Sequence, residues 1–487
     1  MNLVISDIVF AHSAIISVAH GPSGPNDAYL LHLHEFLTHA ATHSPLAAVS
    51  FKEHAGDDRT GELANMVKLL QRECMPYFLA GAGSNEHDQL LLKGAQSDGN
   101  NDNVCVDEVN ELTEMLLVVP RNQQLNQDNS DHVPKSLHAG GGHSALLTNG
   151  GDLYLWGWND VGQLGRSSVS IDSSNLSSLR TIQPLRGIKV ETVDLGHTHT
   201  LFIEKRTGRL FGFGENGRGQ VTGCPDERNT YNSYPRTPIG LSEERFANVA
   251  AGLFHSAAIT KQGELITWGC SRFGQCLPAS DAASTIGRWS PSDGSRLVHV
   301  ACGRRHTILL DEHGRVWTMG DNKYGQLGQG SANNQQHSEP QLVEGPLGQI
   351  DSGCFAICSG WSHILALTKN THSGVVELYG WGRNDKGQLG PSSANILSPQ
   401  KLLTDIDGVP IQSACCGAES SHILSNGNLY STGWNEHGNL GIGLSHKNDQ
   451  ASSWTIASGI SVAAPPPSKN EKKLFSAGGA HLIVMAM

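Results

Sequence analysis

GDNKYGQLG, residues 320–328, is built of glycine, turn-forming residues and two apolar side chains. It returns as GWNDVGQLG at 157–165, GRNDKGQLG at 382–390 and GWNEHGNLG at 433–441. Looser copies, GSNEHDQL at 83–90, GENGRGQVTG at 214–223 and GCSRFGQCL at 269–277, bring the number to seven. They start at Gly83, Gly157, Gly214, Gly269, Gly320, Gly382 and Gly433, at spacings of 74, 57, 55, 51, 62 and 51 residues. Repetition at such a period marks a repeat architecture, in which each unit buries its apolar face against the next.

A second phrase travels with the first. It reads AGGGHSALL (139–147), LGHTHTLFI (195–203), AGLFHSAAI (251–259), CGRRHTILL (302–310) and SGWSHILAL (359–367). After it come segments such as TNGGDLYLWG and DEHGRVWTMG, apolar residues alternating around a glycine turn. That is a hairpin signal. Each unit therefore reads strand, tight turn, strand, glycine-rich loop, then a looser connection with proline.

The two chain ends complement each other. GGAHLIVMAM (478–487) has no hairpin partner after it, and YFLAGAGSNEHDQL, from Tyr77, has no histidine strand before it. A ring whose last blade combines strands from both ends accounts for this, and closure leaves no sheet edge exposed. The expected fold is all-β: a seven-bladed β-propeller over 77–487, closed by N- and C-terminal strands sharing one blade, with a short N-terminal extension at 1–76.

Composition agrees. With 56 glycines and only 16% charged residues, the 487-residue chain suits turn-rich β structure better than a helical bundle. Its net charge of −12 argues against nucleic acid or anionic lipid as the main partner, since both need a basic field. The ten cysteines contain no CxxC, so scattered thiols in a reducing compartment are expected rather than a zinc site. No run approaches the roughly 20 apolar residues of a membrane span. The apolar N-terminal stretch lacks a basic n-region and carries Asp7 and His12, which argues against a signal peptide. A monomeric protein of the cytoplasm, with the nucleus as a second compartment, is the expectation.

Three segments stand outside the repeat. Residues 27–43 and 61–74 have helical apolar spacing; a small helical cap, a poorly ordered extension and a misassigned gene start all remain open for 1–76. Residues 94–135 are polar around TEMLLVVP and are expected to form a long surface loop. A second insertion, 446–473, precedes the last strand.

These phrases resemble the repeat of the regulator of chromosome condensation family, and the likeness covers about residues 77–487. Within it, GGGHSALLTNGGDLYLWGWNDVGQLG and LYSTGWNEHGNLG look most like two subgroups. One is the secretion-regulating guanine nucleotide exchange factor type. The other is the alpha-tubulin suppressor type, whose members pair with a small zinc-ribbon protein in diphthamide and tRNA wobble-base modification. The plant UV-B receptor belongs to the same wider family, but its recurring Gly-Trp-Arg-His phrase has a single counterpart here, Gly-Trp-Ser-His at 360–363. Trp156, Trp158, Trp381 and Trp434 therefore do not argue for a chromophore.

Several motifs invite an enzymatic reading. GFGENG (212–217) fits the dinucleotide fingerprint but sits in a strand-loop repeat with no helix expected after it. His34 and His39 in HEFLTH are five apart and fall on different helix faces; His39 and His43 are spaced correctly but lack an acidic ligand. His143, His199, His255, His306, His363 and His481 lie in different blades, which favours a repeated structural hydrogen bond over an acid–base array. Counting back from Trp434 as His143 stands to Trp158 puts Glu419 in the histidine slot of the sixth blade. No GxSxG, phosphate loop or paired carboxylates are present, so no catalytic site, cofactor or metal is expected.

Partners of propellers dock on loops at one face. In the family prototype, the resemblance implies, contact with the GTPase Ran uses residues just before the repeat histidine, several of them acidic. Those slots here are Gly141 and Gly142, His197 and Thr198, Leu253 and Phe254, Arg304 and Arg305, Trp361 and Ser362, and Gly479 and Ala480, with no acid among them. Arginine and large aromatics commonly anchor protein interfaces. Arg304, Arg305, Trp361, Phe254 and His197 are thus the candidate partner-binding residues, for a small GTPase or another protein with an acidic or mixed surface.

Overall fold

Each hairpin expected from the histidine phrase is present, and most gain a strand on either side. A computed structural model of the protein describes residues 74–84, 86, 90, 108–120, 131, 133–165, 185, 187–224, 231–278, 286–332, 336–349, 351–370, 373–443, 450–457 and 473–486. Residues 80–115, 133–168 and 184–487 make one compact unit; 1–79, 116–132 and 169–183 group separately, and of these only 74–79, 116–120 and 131 are described. The expected helix at 27–43, nearly all of that at 61–74, and the His34, His39 and His43 candidates lie outside the described residues. Among the described residues there is no α-helix.

Blade four shows the plan. Leu297–Cys302, His306–Asp311, Val316–Asp321 and Gln336–Leu342 run from the axis outward as antiparallel neighbours. The first strands of the other blades are Pro134–Ala139, Val190–Leu195, Phe246–Ala251, Cys354–Ser359, Val409–Cys416 and Lys473–Ala477. Blade one has three described strands, and the others have at least four. Outermost strands such as QHSEPQL (Gln336–Leu342) and ILSPQKLL (Ile396–Leu403) read as connections because each has a single buried residue and carries proline. Proline fits an edge strand, where the missing N–H faces away from the ladder.

The closing blade runs Lys473–Ala477, His481–Ala486, Cys74–Ser84 and Glu108–Pro120, so both chain ends share one sheet. Glu108–Pro120 lies inside the insertion expected as a loop; TEMLLVVP is part of a strand. Gln450–Ile456, within the second insertion, is likewise a strand, at the edge of blade six. Closure is sealed at the backbone: Gly479 N donates to Gly140 O of blade one (2.9 Å), and Ala418 N of blade six donates to Gly478 O (2.9 Å).

Between blades lie apolar clusters. Ile308, Leu310 and Val316 of blade four meet Ile357, Ile364 and Trp381 of blade five, all buried. Burying each such side chain stabilises by roughly 1.5–3 kcal/mol, so the interfaces between sheets hold the ring together.

The recurring GxNxxGQLG phrase builds one loop repeatedly. Asn322 Oδ1 accepts from Leu327 N (3.1 Å), and Gln326 Oε1 accepts from Tyr324 N (2.8 Å). The same pairs recur at Asn384–Leu389 with Gln388–Lys386, and at Asn159–Leu164 with Gln163–Val161. Two side chains thus satisfy amides that the turn leaves unpaired. At the phrase's first position, Gly320 has φ +119°, and a Cβ there would lie 2.4 Å from Arg305 O. Only glycine fits.

Candidate protein-docking rim

The repeat histidines form an inner ring. His143 Nε2 meets Thr200 Oγ1 of the next blade (3.0 Å), His199 meets Ser256 Oγ (3.0 Å), and His255 meets Thr307 Oγ1 (3.1 Å). His363 meets Ser421 Oγ (3.1 Å) and His481 meets Ser144 Oγ (2.9 Å). In most blades the receiving hydroxyl directly follows the histidine slot. Blade five has Ile364 there, and Ser359 supplies the hydroxyl to His306 instead (3.0 Å). Thr200, Ser256 and Thr307 donate onward to Gln163 O, Gln220 O and Gln275 O, at 2.8, 2.6 and 2.8 Å. A hydroxyl whose proton is so used accepts from the imidazole, which assigns the proton to Nε2 of His143, His199 and His255. Burial holds His143, His199 and His306 down at about 3, and His255, His363 and His481 at about 4, so all are neutral.

Blade six departs from this ring, and from the sequence count. Ser420, not Glu419, pairs with Gly433 as His306 pairs with Gly320. Its hairpin turns through Asn426 and Gly427 alone, at φ 50° and 71°, and is one residue shorter than the blade-one hairpin. A two-residue Asn-Gly turn is the cause. His422 Nε2 lies 3.0 Å from Ser420 Oγ, with Nδ1 at 2.8 Å from Ser431 Oγ. Glu419 thereby moves to the slot before the histidine position, so the rim carries one acid after all.

Each residue before the histidine slot accepts, through its carbonyl, from the second residue of the repeated phrase. Trp158 N bonds Gly142 O, Glu215 N bonds Thr198 O, Cys270 N bonds Phe254 O, Asp321 N bonds Arg305 O, Arg383 N bonds Ser362 O, Trp434 N bonds Glu419 O, and Ser84 N bonds Ala480 O. The variable positions of the phrase therefore share a face with the pre-histidine residues. Sequence reasoning missed them, although variation at fixed positions inside an otherwise repeated phrase was the available signal.

The candidate residues are only partly brought together. Arg304 lies over Trp361, with the guanidinium 5.0 Å from the ring centroid, and Arg304 N donates to Trp361 O (3.0 Å). Arg305 lies over Phe273 instead, at 3.9 Å. Arg383 and Lys323 lie over Tyr324 at 5.1 and 5.2 Å, and Arg383 also pairs with Glu419 and Asp385. His197, Trp361 and Leu253 line the axial channel, whose wall is otherwise glycine and alanine with Leu195, Ser359, Cys302 and Cys416. Burial lowers the His197 pKa; Glu215 opposes the shift and Arg304 adds to it. Phe254 is half-buried and none of the described ring contacts involves it.

Other candidates find no chemistry. Leu210–Glu215 is a strand and turns follow it, so GFGENG opens no helix to hold a pyrophosphate. Among the described residues no group of three His, Cys, Asp or Glu is placed to hold a metal. Trp156 of blade one and Trp381 of blade five are buried, while Trp158 of blade one and Trp434 of blade six sit half-buried at the rim.

Comparison with known proteins agrees with this geometry. Residues 78–484 match the family model described as the RCC1-like domain. The chain belongs to the RCC1-like family of seven-bladed propellers. It is 32% identical over 318 residues to the Ultraviolet-B receptor UVR8 of Arabidopsis thaliana, covering 64% of this chain and 68% of that protein. It is 30% identical over 375 residues to the mouse secretion-regulating guanine nucleotide exchange factor, covering 72% and 75%. In structure it is similar to Prp20p of Saccharomyces cerevisiae, described with its binding to Gsp1p and histones. The TM-score is 0.63 at 19% identity, over 86% of this chain and 94% of that one. At that identity the likeness speaks for the fold.

Proposed function

We propose that this propeller binds a protein partner through the rim and acts as a guanine nucleotide exchange factor-type regulator of a small GTPase. The carrying observation is its likeness to the secretion-regulating exchange factor across most of both chains. A rim of arginines and aromatics supports the docking half of this reading. An exchange factor makes no bonds; it binds the nucleotide-free GTPase more tightly than the loaded one and so speeds release. The absence of a catalytic constellation among the described residues is compatible with that task.

Ran engaged through acidic pre-histidine residues is not the expected partner. Glu419 is the one acid in those slots, and Arg383 already holds it. The test is release of a fluorescent GDP analogue from a panel of purified small GTPases, with and without the full chain. Accelerated release from at least one, lost in Arg304→Glu with Arg305→Glu, is expected. Capture of a zinc-ribbon or tRNA-modification protein with no change in any release rate would overturn exchange in favour of a scaffold.

A further inference from the structure

The rim is electrically divided. On blades three to five, Arg272, Arg304, Arg305, Lys323, Arg383 and Lys386 stand against Asp321 and Asp385, with Glu419 reaching across from blade six. On the closing blade and blades one and two, the same loops carry Glu86, Asp160 and Glu215 against Arg218. A chain with net charge −12 thus concentrates uncompensated cations on one sector of one face.

How four of those cations are held separates them from others on the surface. Elsewhere, several basic side chains meet carboxylates, as Arg288 does with Glu244 and Glu264, Arg315 with Asp293 and Asp311, and Lys189 with Asp152, while Lys205, Arg245 and Arg296 reach backbone carbonyls. Arg272, Arg304, Arg305 and Lys323 have no carboxylate within ion-pair distance among the described residues. They are ordered by rings instead, Arg272 and Arg305 on Phe273, Arg304 on Trp361 and Lys323 on Tyr324. A guanidinium stacked on a ring keeps its in-plane N–H donors free for a carboxylate while its own motion is restricted. The backbone bond from Arg304 to Trp361 further ties the blade-four loop to blade five.

We infer that blades three to five form a docking strip for an acidic, Asp/Glu-rich segment of the protein partner, with the stacked cations as its receptors. The inference rests on the reading of the rim as a protein-binding face and adds the partner's chemistry. An acidic peptide fits better than nucleic acid. The ring faces that would stack bases are engaged by cations, and the negative charge of the whole chain opposes a long polyanion. The acidic half of the rim confines such a segment to one side.

The probes are a short fluorescein-labelled peptide of alternating Glu and Gly, its Gln counterpart, and a labelled single-stranded DNA of equal charge. All are titrated into the full-length protein by fluorescence anisotropy. The Glu peptide is expected to bind, to weaken with added salt, and to lose about tenfold or more in affinity in Arg304→Glu with Arg305→Glu. Arg218→Glu, the same kind of charge change on the other half, should alter it less than about twofold. Arg304→Lys with Arg305→Lys keeps the charge but not the planar stack and should fall between. Equal binding of the Gln peptide, equal or tighter binding of the DNA, or equal losses in the two Glu variants would overturn the inference. If partner capture depends on Arg304 and Arg305 but the Glu peptide does not bind, the docking face stands and its acidic specificity falls. A peptide that binds the strip when partner capture ignores it would leave the strip and remove the protein-docking reading.

Discussion

Arg305 and His306 are adjacent in the chain and belong to different regions of the molecule. His306 is one of six imidazoles repeated around the axis, buried, neutral and bonded to a neighbouring blade. Arg305 has no equivalent in any other blade; the same slot holds Gly142, Thr198, Phe254, Ser362, Glu419 and Ala480. The difference follows from what each position must satisfy. A buried polar ring has few solutions, because every donor needs a partner. A loop residue facing water is free to vary, and so can carry recognition.

Stability should track the inner ring and binding the rim. Acid gives the largest expected effect. The seven buried imidazoles, including His422 at about 3, are held neutral by burial, so the native state binds fewer protons than the unfolded one. Their contribution is present above the unfolded value of about 6.5 and falls by roughly 1.4 kcal/mol per pH unit for each imidazole as pH drops toward 4. Urea midpoints measured from neutral to about pH 5 should fall steeply; a flat profile would mean the ring is not buried as described.

Next comes Gly320→Ala. The positive φ and the contact with Arg305 O should cost about 3 kcal/mol, seen as a lower thermal midpoint. Ser359→Ala removes the hydroxyl that replaces blade five's missing partner and leaves His306 unpaired. About 1–2 kcal/mol should be lost, with acidic-peptide affinity unchanged. Glu419→Gln should be smallest. Releasing Arg383 should change stability by less than about 1 kcal/mol and strengthen binding of the Glu peptide about twofold. A stability mutant that abolished binding in a folded protein would blur the division between ring and rim.

Much of this was legible in the residues. Seven copies of one phrase implied seven blades, and the unmatched ends, GGAHLIVMAM and YFLAGAGSNEHDQL, implied their shared sheet. The hairpins declared themselves because their two strands are buried on both faces, as the wholly buried HTILLD shows. The outer strands did not: an edge strand half in water has no strong apolar pattern, and ILSPQKLL looks like a loop. The shift in blade six was missed by assuming hairpins of equal length, although SNGN at 425–428 is a two-residue turn signal.

Local chemistry set the units of this protein: glycine where only positive φ fits, Asn and Gln where turn amides need acceptors, histidine where a blade needs a donor. These are short-range demands, and a sequence records them directly. Tertiary structure alone decided which distant residues meet. Phe273 under Arg305, Tyr324 under Arg383 and Glu419 beside it come from different blades or different loops of a blade. Their contacts depend on how neighbouring sheets pack and on hairpin lengths to a single residue, and no local pattern carries that distance.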